Sequence, residues 1–327
     1  MKKVLGMGNA LTDILLQIEN DSILNELSLP KGSMQLVNSN KSQEILDFFE
    51  NSFRKMATGG SASNTINGIT KLGLTAGFVG KLGKDSVGEF FHNDSLKNGV
   101  TPHITYSETP SGCCTVLVSP DGERTLCTFL GAACELDASD LKVEMFTGYD
   151  IFHIEGYLVQ NHDLIRKAII LAKEAGLKVS IDLASFNVVE SNLDFLHEII
   201  KNYVDIVFAN EEEARSYSGK TPLEALHYIS EQCEIAVVKI GKDGSFIKSG
   251  SEIVQIQPRQ SVCVDTTGAG DLYAAGFLFG IANGYSLEIC GKIGSLVSGN
   301  VVEVLGAKMT DQVWETIHQE IKELVTE

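Results

Sequence analysis

The chain switches between two hydrophobic periods along its length. Short β-rich runs recur at Val4–Gly8, Ala76–Lys81, Ile151–Ile154, Val179–Asp182, Ile206–Ala209 and Ala236–Ile240. Helical patterns lie between them, over Ser61–Leu72 and Val87–Asn98 in the first half and beside each strand after Asp150. This alternation predicts an α/β fold with a central, mostly parallel sheet flanked by helices. Two segments break it. Met34–Asn38 reads as an isolated strand, and 103–130 as three short strands near His103–Ser107, Cys113–Ser119 and Thr125–Phe129, with a turn at Pro120-Asp121-Gly122. Consecutive strands of this kind suggest a small β-sheet lid drawn from about 12–38 and 101–131, the rest forming the large domain of one unit. An edge extension of the main sheet explains the same strands equally well.

Composition narrows the class. Hydrophobic residues make up 43% and charged residues 21%, ordinary for a globular protein and far from a disordered chain. No apolar run approaches the ~18 residues a membrane span requires. The formal charge of −17 repels a phosphate backbone and disfavours nucleic acid as partner. It does not exclude a small phosphorylated ligand held by backbone N–H groups. Seven cysteines, an odd number without a C-x-x-C pair, suit reduced thiols and a cytoplasmic location better than a disulfide framework. The opening MKKVLGMGNALTDILLQI is interrupted by Asn9 and Asp13, so it reads as a first strand and not as a signal peptide.

Candidate chemistry rests on glycine-rich turns. The P-loop pattern is not met at Gly80, Gly83, Gly241 or Gly291. Gly6-Met7-Gly8 begins a dinucleotide fingerprint, but its third position is Leu11, which weakens a Rossmann oxidoreductase. The strongest signal is Val264-Asp265-Thr266-Thr267-Gly268-Ala269-Gly270-Asp271, followed by the apolar run Leu272–Ala282. That run predicts a helix with the glycines at its N-terminus, where unpaired N–H groups and the dipole favour an anion. Asp271 at the same helix start is placed to accept a proton from a hydroxyl beside that anion. A glycine-rich turn with Asp as a helix cap explains the segment alone as well.

The segment resembles the C-terminal signature of the PfkB, or ribokinase-like, family of small-molecule kinases. Other features of that family follow in order: Asn9 and Asp13 after the first strand, Gly59-Gly60-Ser61-Ala62-Ser63-Asn64 opening a helix, and Gly80 and Gly83 downstream. Thr109–Gly112 fits a T-x-x-G pattern, and Asn210-Glu211-Glu212-Glu213 and Lys239-x-Gly241-x-x-Gly244 complete the series. The likeness spans nearly the whole chain. It implies a kinase that transfers the γ-phosphoryl of ATP to a primary hydroxyl, with Asp271 as base and Gly268, Ala269 and Gly270 as the anion hole. Thr266, Asn210, Lys239, Gly241 and Gly244 would line the ATP side. Glu213 would hold Mg²⁺ through water, and Asp265 would belong to a monovalent-cation (K⁺) site.

Asn9, Asp13, Gly59, Gly60 and Asn64 would meet the acceptor. The opening Gly6–Asp13 and Ser61 are closest to adenosine kinases. Gln35 resembles a lid position near the nucleoside base, and Phe186 would stack on a purine. Glu155 instead falls where sugar kinases of the family place a substrate-contacting acid. A nucleoside acceptor and a sugar acceptor (ribose, fructose or a sugar acid) therefore both stay open, as do monomer and homodimer. A non-catalytic nucleoside- or sugar-binding protein on the same fold is the rival of another class.

Overall fold

The structure is a computed structural model that describes residues 2–326. Nine strands form the larger sheet, in the order Glu252–Ile256, Ser245–Ser249, Ile235–Lys239, Ile206–Asn210, Lys178–Asp182, Ile151–Glu155, Val4–Met7, Ala76–Gly83 and Val100–Ser107. The first two are antiparallel to their neighbours, and the strands from Ile235–Lys239 onward run parallel. Successive residues of a strand enter opposite faces, which is why the central runs are mostly apolar, with polar residues such as Glu155, Asp182 and Asn210 at their carboxyl ends. Val4, Phe208 and Val237 pack under the helices Ser61–Lys71, Ala269–Asn283 and Leu287–Val301. Leu5, Val207 and Val238 pack under His162–Glu174 and Leu193–Tyr203 on the other side. The mostly parallel sheet covered on both faces is what the strand–helix alternation implied, and the ribokinase-like arrangement is what the family resemblance implied.

A second sheet has the order Met34–Leu36, Arg124–Phe129, Gly112–Val118, Leu11–Gln17 and Arg54–Gly59. Its outer face is closed by Ile14, Leu16 and Leu117 packed on Ile45 of the helix Ser39–Phe48. Its inner face carries Leu11, Asp13, Cys114, Val116, Arg124 and Leu126 toward the larger sheet. No helix among the described residues is long and apolar enough to cross a membrane.

Two strands depart from the pattern reading. Val100–Ser107, expected in the small sheet, pairs in parallel with Ala76–Gly83 from Ala76↔Val100 to Gly83↔Ser107. The helix Ser86–Lys97 between them brings the chain back beside its own strand, a β–α–β unit that local pattern cannot distinguish from the start of a hairpin. Conversely, Arg54–Gly59 lies outside 12–38 and 101–131 yet forms the small sheet's antiparallel edge beside Leu11–Gln17. It begins Arg54-Lys55 with both residues exposed, the charged composition that protects an edge strand and hides it from a search for apolar runs.

Candidate active site

A cavity of about 790 Å³ lies between the inner face of the small sheet and the carboxyl ends of the parallel strands. Open α/β sheets place ligands at these strand ends. The helix Ala269–Asn283 aims its N-terminus at the cavity. Gly268 precedes it with φ +78°, a left-handed conformation that favours glycine, and a Cβ there would run into Ala307.

Asp271, in the first turn, is the most constrained group in the cavity. Ser61 Oγ donates to its Oδ1 at 2.7 Å, and Asn64 Nδ2 donates to its Oδ2 at 3.0 Å. Thr65 Oγ1 donates to its backbone oxygen at 3.1 Å. All three donors lie in the first two turns of the helix Ser61–Lys71, so the two helix starts are bound end to end. Burial raises the Asp271 pKa above the usual carboxylate range, against the opposing pull of Asn64 and Ser61.

The acceptor end of the cavity contains Asp13, Gly60 and Asn64. Gly60 has φ +89° where the chain passes from the small sheet into the helix Ser61–Lys71, and a Cβ would overlap the carbonyl oxygen of Asn9. Gly59 leaves room for the Asp13 carboxylate behind it. With its amide nitrogen on Asp271, Asn64 keeps a buried Oδ1 that has no protein partner. That atom suits the hydrogen of a ligand hydroxyl. Burial pushes the Asp13 pKa from 3.8 to about 6, with Lys308 and Arg124 opposing. The Lys308 ammonium is itself buried without a partner.

The Asp13 shift has a consequence for stability. A carboxyl whose folded pKa lies above its unfolded one binds more protons in the folded state. Stability then falls as pH rises from about 4 to about 6, and the cost persists above that. Asp13→Asn removes the buried charge. Its melting temperature should therefore exceed that of the native protein at pH 8, by up to roughly 3 kcal/mol in stability. The two should converge near pH 3.8, the ordinary value for the group. A lower melting temperature for the variant at pH 8 would contradict this placement of the charge.

The other end of the cavity is built from strand termini. Asn210 ends its strand and caps the helix Glu211–Ser218, its Oδ1 accepting from Glu212 N and Glu213 N at 2.9 and 2.8 Å. Glu213 returns both oxygens to Asn210, accepting from its N and Nδ2 at 2.7 Å each. Burial, reinforced by Asp182, raises the Glu213 pKa to about 7. Lys239 Nζ donates to Asp182 Oδ2 at 2.7 Å and packs against Gly270 in the helix start. The Asp182 carboxylate is held low by Lys239 despite its burial. Gly241, Gly244, Thr266, Ala269 and Gly270 complete this wall. Lys242 and Asp243 sit in the turn of the hairpin joining Ile235–Lys239 to Ser245–Ser249.

Several expected residues lie off the cavity wall or are already engaged. Asn9 is buried with its Nδ2 donating to Glu155, and neither Gly59 nor Gly268 lines the cavity. Asp265 has no open edge for a cation. Its Oδ1 accepts from Thr267 N and Oγ1 at 3.0 and 2.8 Å, and its Oδ2 from Gly306 N at 2.7 Å and from the Arg124 guanidinium. All four lone-pair directions are used, and the positive charge there is an arginine. Glu155 is buried beneath the wall, bonded to Asn9 and Ala62, and is not a cavity residue. Gln35 points to the outer face of its strand and donates to Ser33, because its neighbour Met34 takes the cavity side. Phe186 opens a short surface helix, 41% exposed and away from the cavity. The aromatic residues on the wall are Tyr157, just past the strand Ile151–Glu155, and the buried Tyr273.

Sequence reasoning also missed Ser61 as an Asp271 ligand, Asp182 as the Lys239 partner, and Arg124. Arg124 reaches from the small sheet to the loop before Asp271. It donates to Asp265 and, at 3.3 Å, to Thr267 Oγ1, and its Nε is buried without a partner. The alternation of its strand was the available signal, since it places Arg124, Leu126 and Thr128 on one face.

The two-sheet fold and the similarities that follow define the class: phosphotransferases with an alcohol acceptor. The chain belongs to the pfkB family of carbohydrate kinases, whose model matches residues 49–312. It is similar to the adenosine kinase of Sinorhizobium meliloti, with 34% identity, a TM-score of 0.84, and coverage of 98% of this chain and 99% of that one. A probable sugar kinase from Rhizobium etli is 32% identical, with a TM-score of 0.84 and 98% of both chains covered. The 5-dehydro-2-deoxygluconokinase of Clostridium beijerinckii is 27% identical over 84% of this chain and 86% of its own length. Kinases of this family use ATP with Mg²⁺. Mg²⁺ keeps several waters and is commonly held by one or two carboxylates plus phosphates. Asp182 at a strand end and Glu213 in the first turn of the helix Glu211–Ser218 both line the cavity and fit such a water-bridged site, and no cluster of three or more metal-ligating groups exists among the described residues.

Proposed function

We propose that the protein phosphorylates the primary hydroxyl of a nucleoside, of adenosine type, at the expense of ATP, with Asp271 as the general base. The observation that carries the reading is Asp271 itself. Its two oxygens are fixed by Ser61 and Asn64, it stands at a helix N-terminus, and Asp13 lies in the same cavity. Asp13 and the free oxygen of Asn64 hold the acceptor's other hydroxyls, so the primary hydroxyl is delivered to Asp271. Asp271 takes its proton as the oxygen attacks the γ-phosphoryl. The N–H groups at the start of the helix Ala269–Asn283 receive the charge on the transferring group. Glu213 and Asp182 would hold Mg²⁺ through water, and the ion would supply neutralisation of phosphate charge. Closure of the small sheet over the cavity excludes water and limits idle ATP hydrolysis.

The inner face of the small sheet favours a nucleoside over a sugar acid. Leu11, Met34, Cys114, Val116 and Leu126 form an apolar wall that suits the flat face of a base. The burial of Glu155 also removes the one residue that argued for a sugar contact. A sugar acceptor is the second reading, supported by the similarity to a sugar kinase and a gluconokinase. The test is ADP release with ATP·Mg²⁺ against adenosine, other nucleosides, ribose, fructose and 2-keto-3-deoxygluconate. Selective turnover of adenosine is the expected result. Selective turnover of a free sugar would replace the nucleoside reading with the second one.

An exposed thiol gives an independent check of the ATP side. Cys263 is exposed and lines the cavity next to Pro258 and Thr266, whereas Cys134 is exposed elsewhere. ATP·Mg²⁺ should slow alkylation of Cys263 severalfold without changing that of Cys134. Equal rates with and without nucleotide would place ATP elsewhere. The thiol of Cys114, whose pKa is pushed up to about 12 by burial, should stay unlabelled in both cases.

A further inference from the structure

The helix Ser61–Lys71 grips Asp271, yet it has no cap of its own. Its N-cap residue is Gly60, which offers no side chain, so the first N–H groups would be unpaired in the interior. The missing acceptor comes from a different element. Glu155, the last residue of the strand Ile151–Glu155 and only 2% exposed, accepts from Ala62 N through Oε2 at 3.1 Å. Its Oε1 accepts from Asn9 Nδ2 at 2.7 Å. One N–H donor on each oxygen and the positive end of the helix dipole favour the carboxylate. Burial raises its pKa to about 7 against them, so the group is ionised at pH 8. Gly8 leaves the space for it, since a Cβ there would overlap Oε2.

We propose that Glu155 is a positioning residue, which caps from a neighbouring strand the helix whose first turn aims the catalytic base, and which fixes the amide of Asn9. The consequence for catalysis rests on the kinase reading above; the cap itself does not. Ala62 lies between Ser61 and Asn64, the two side chains bonded to Asp271, so a loosened first turn moves the base. Because a carboxylate only accepts, Asn9 must turn its NH₂ toward it, which fixes the orientation of the amide. Glu155 is buried and does not line the cavity, so it is placed to act through Asn9 and the helix.

The test compares Glu155→Gln and Glu155→Ala with the native protein at pH 8. A control, Ile199→Val, sits in the core on the far side of the sheet. Hydrogen exchange across residues 60–66 should become about fivefold faster in the Ala variant, the size expected of a lost cap, and less so in the Gln variant. For the best acceptor of the panel, kcat/KM should fall about tenfold in the Gln variant and about a hundredfold in the Ala variant. The KM for ATP should stay within about twofold of native. Unchanged exchange across 60–66 overturns the proposal. So does a fall in kcat/KM that the control reproduces at equal loss of melting temperature, or an equal rise in both KM values. If the native protein turned over no acceptor in the panel, the kinase reading would fail, and the exchange measurement would still decide whether Glu155 is the cap.

Discussion

Asp271→Asn should lower kcat about a thousandfold while leaving the affinities for ATP·Mg²⁺ and for the acceptor within about threefold. The substitution keeps the shape of the side chain. Ser61 can turn its hydroxyl and Asn64 its amide to satisfy an amide in place of the carboxylate, so the junction between the two helix starts survives. What is lost is the ability to take a proton as the acceptor oxygen attacks, and that matters only in the transition state. Stability gives an internal control. The Asp271 pKa is raised by burial, so its charge costs stability at every pH above its unfolded value. The variant should melt at the same temperature as the native protein or higher at pH 8, which removes unfolding as an explanation for lost turnover. Calorimetric titration would supply the affinities and ADP release the rates. A variant retaining a tenth of native turnover would take the base role away from Asp271. A native protein that binds ATP and nucleoside but turns over neither would favour the pure binding protein.

The parts of this architecture written locally were legible, and those written across space were not. The central parallel strands could be read because they are buried on both faces and so are mostly apolar. The loop Asp265–Asp271 could be read because an apolar helix follows it, and a helix start is an anion site wherever it occurs. Arg54–Gly59 was invisible because an edge strand needs few apolar residues, and Val100–Ser107 was misplaced because a strand does not announce which sheet it joins. The site errors share one cause. Phe186 and Tyr157 both follow strand ends, and only the direction in which the chain leaves the strand decides which ring meets the cavity. Glu155 and Ala62 are 93 residues apart, and Arg124 and Asp265 are 141 apart. Neither pairing has a spacing that a motif could record, so an acid expected to touch substrate proved to hold a helix, and an acid expected to hold a cation proved to hold an arginine.

Arg124 carries the second large effect. Arg124→Met should lower kcat by about a hundredfold to a thousandfold, the range found when one donor to developing charge is removed from a closed site. The guanidinium spans the cavity from the small sheet to the loop that leads into the anion hole, and is bonded there to Asp265 and Thr267. Its Nε is buried with no acceptor. An unpaired donor in such a place is costly unless a ligand satisfies it, and a phosphoryl group arriving at the helix N-terminus brings the oxygens that would. Arg124→Lys keeps a charge but not the planar fork, and should recover only part of the loss. In Arg124→Ala, millimolar guanidinium should restore turnover severalfold, because the space it vacates has the shape of that ion. Asp265→Asn separates the two roles the arginine can have. If Arg124 acts on the phosphoryl, weakening its anchor should cost far less than removing the arginine itself. If it acts only by tying down the loop, the two variants should lose turnover equally and guanidinium should rescue neither, and the arginine would then belong to the scaffold of the anion hole and not to the reacting group.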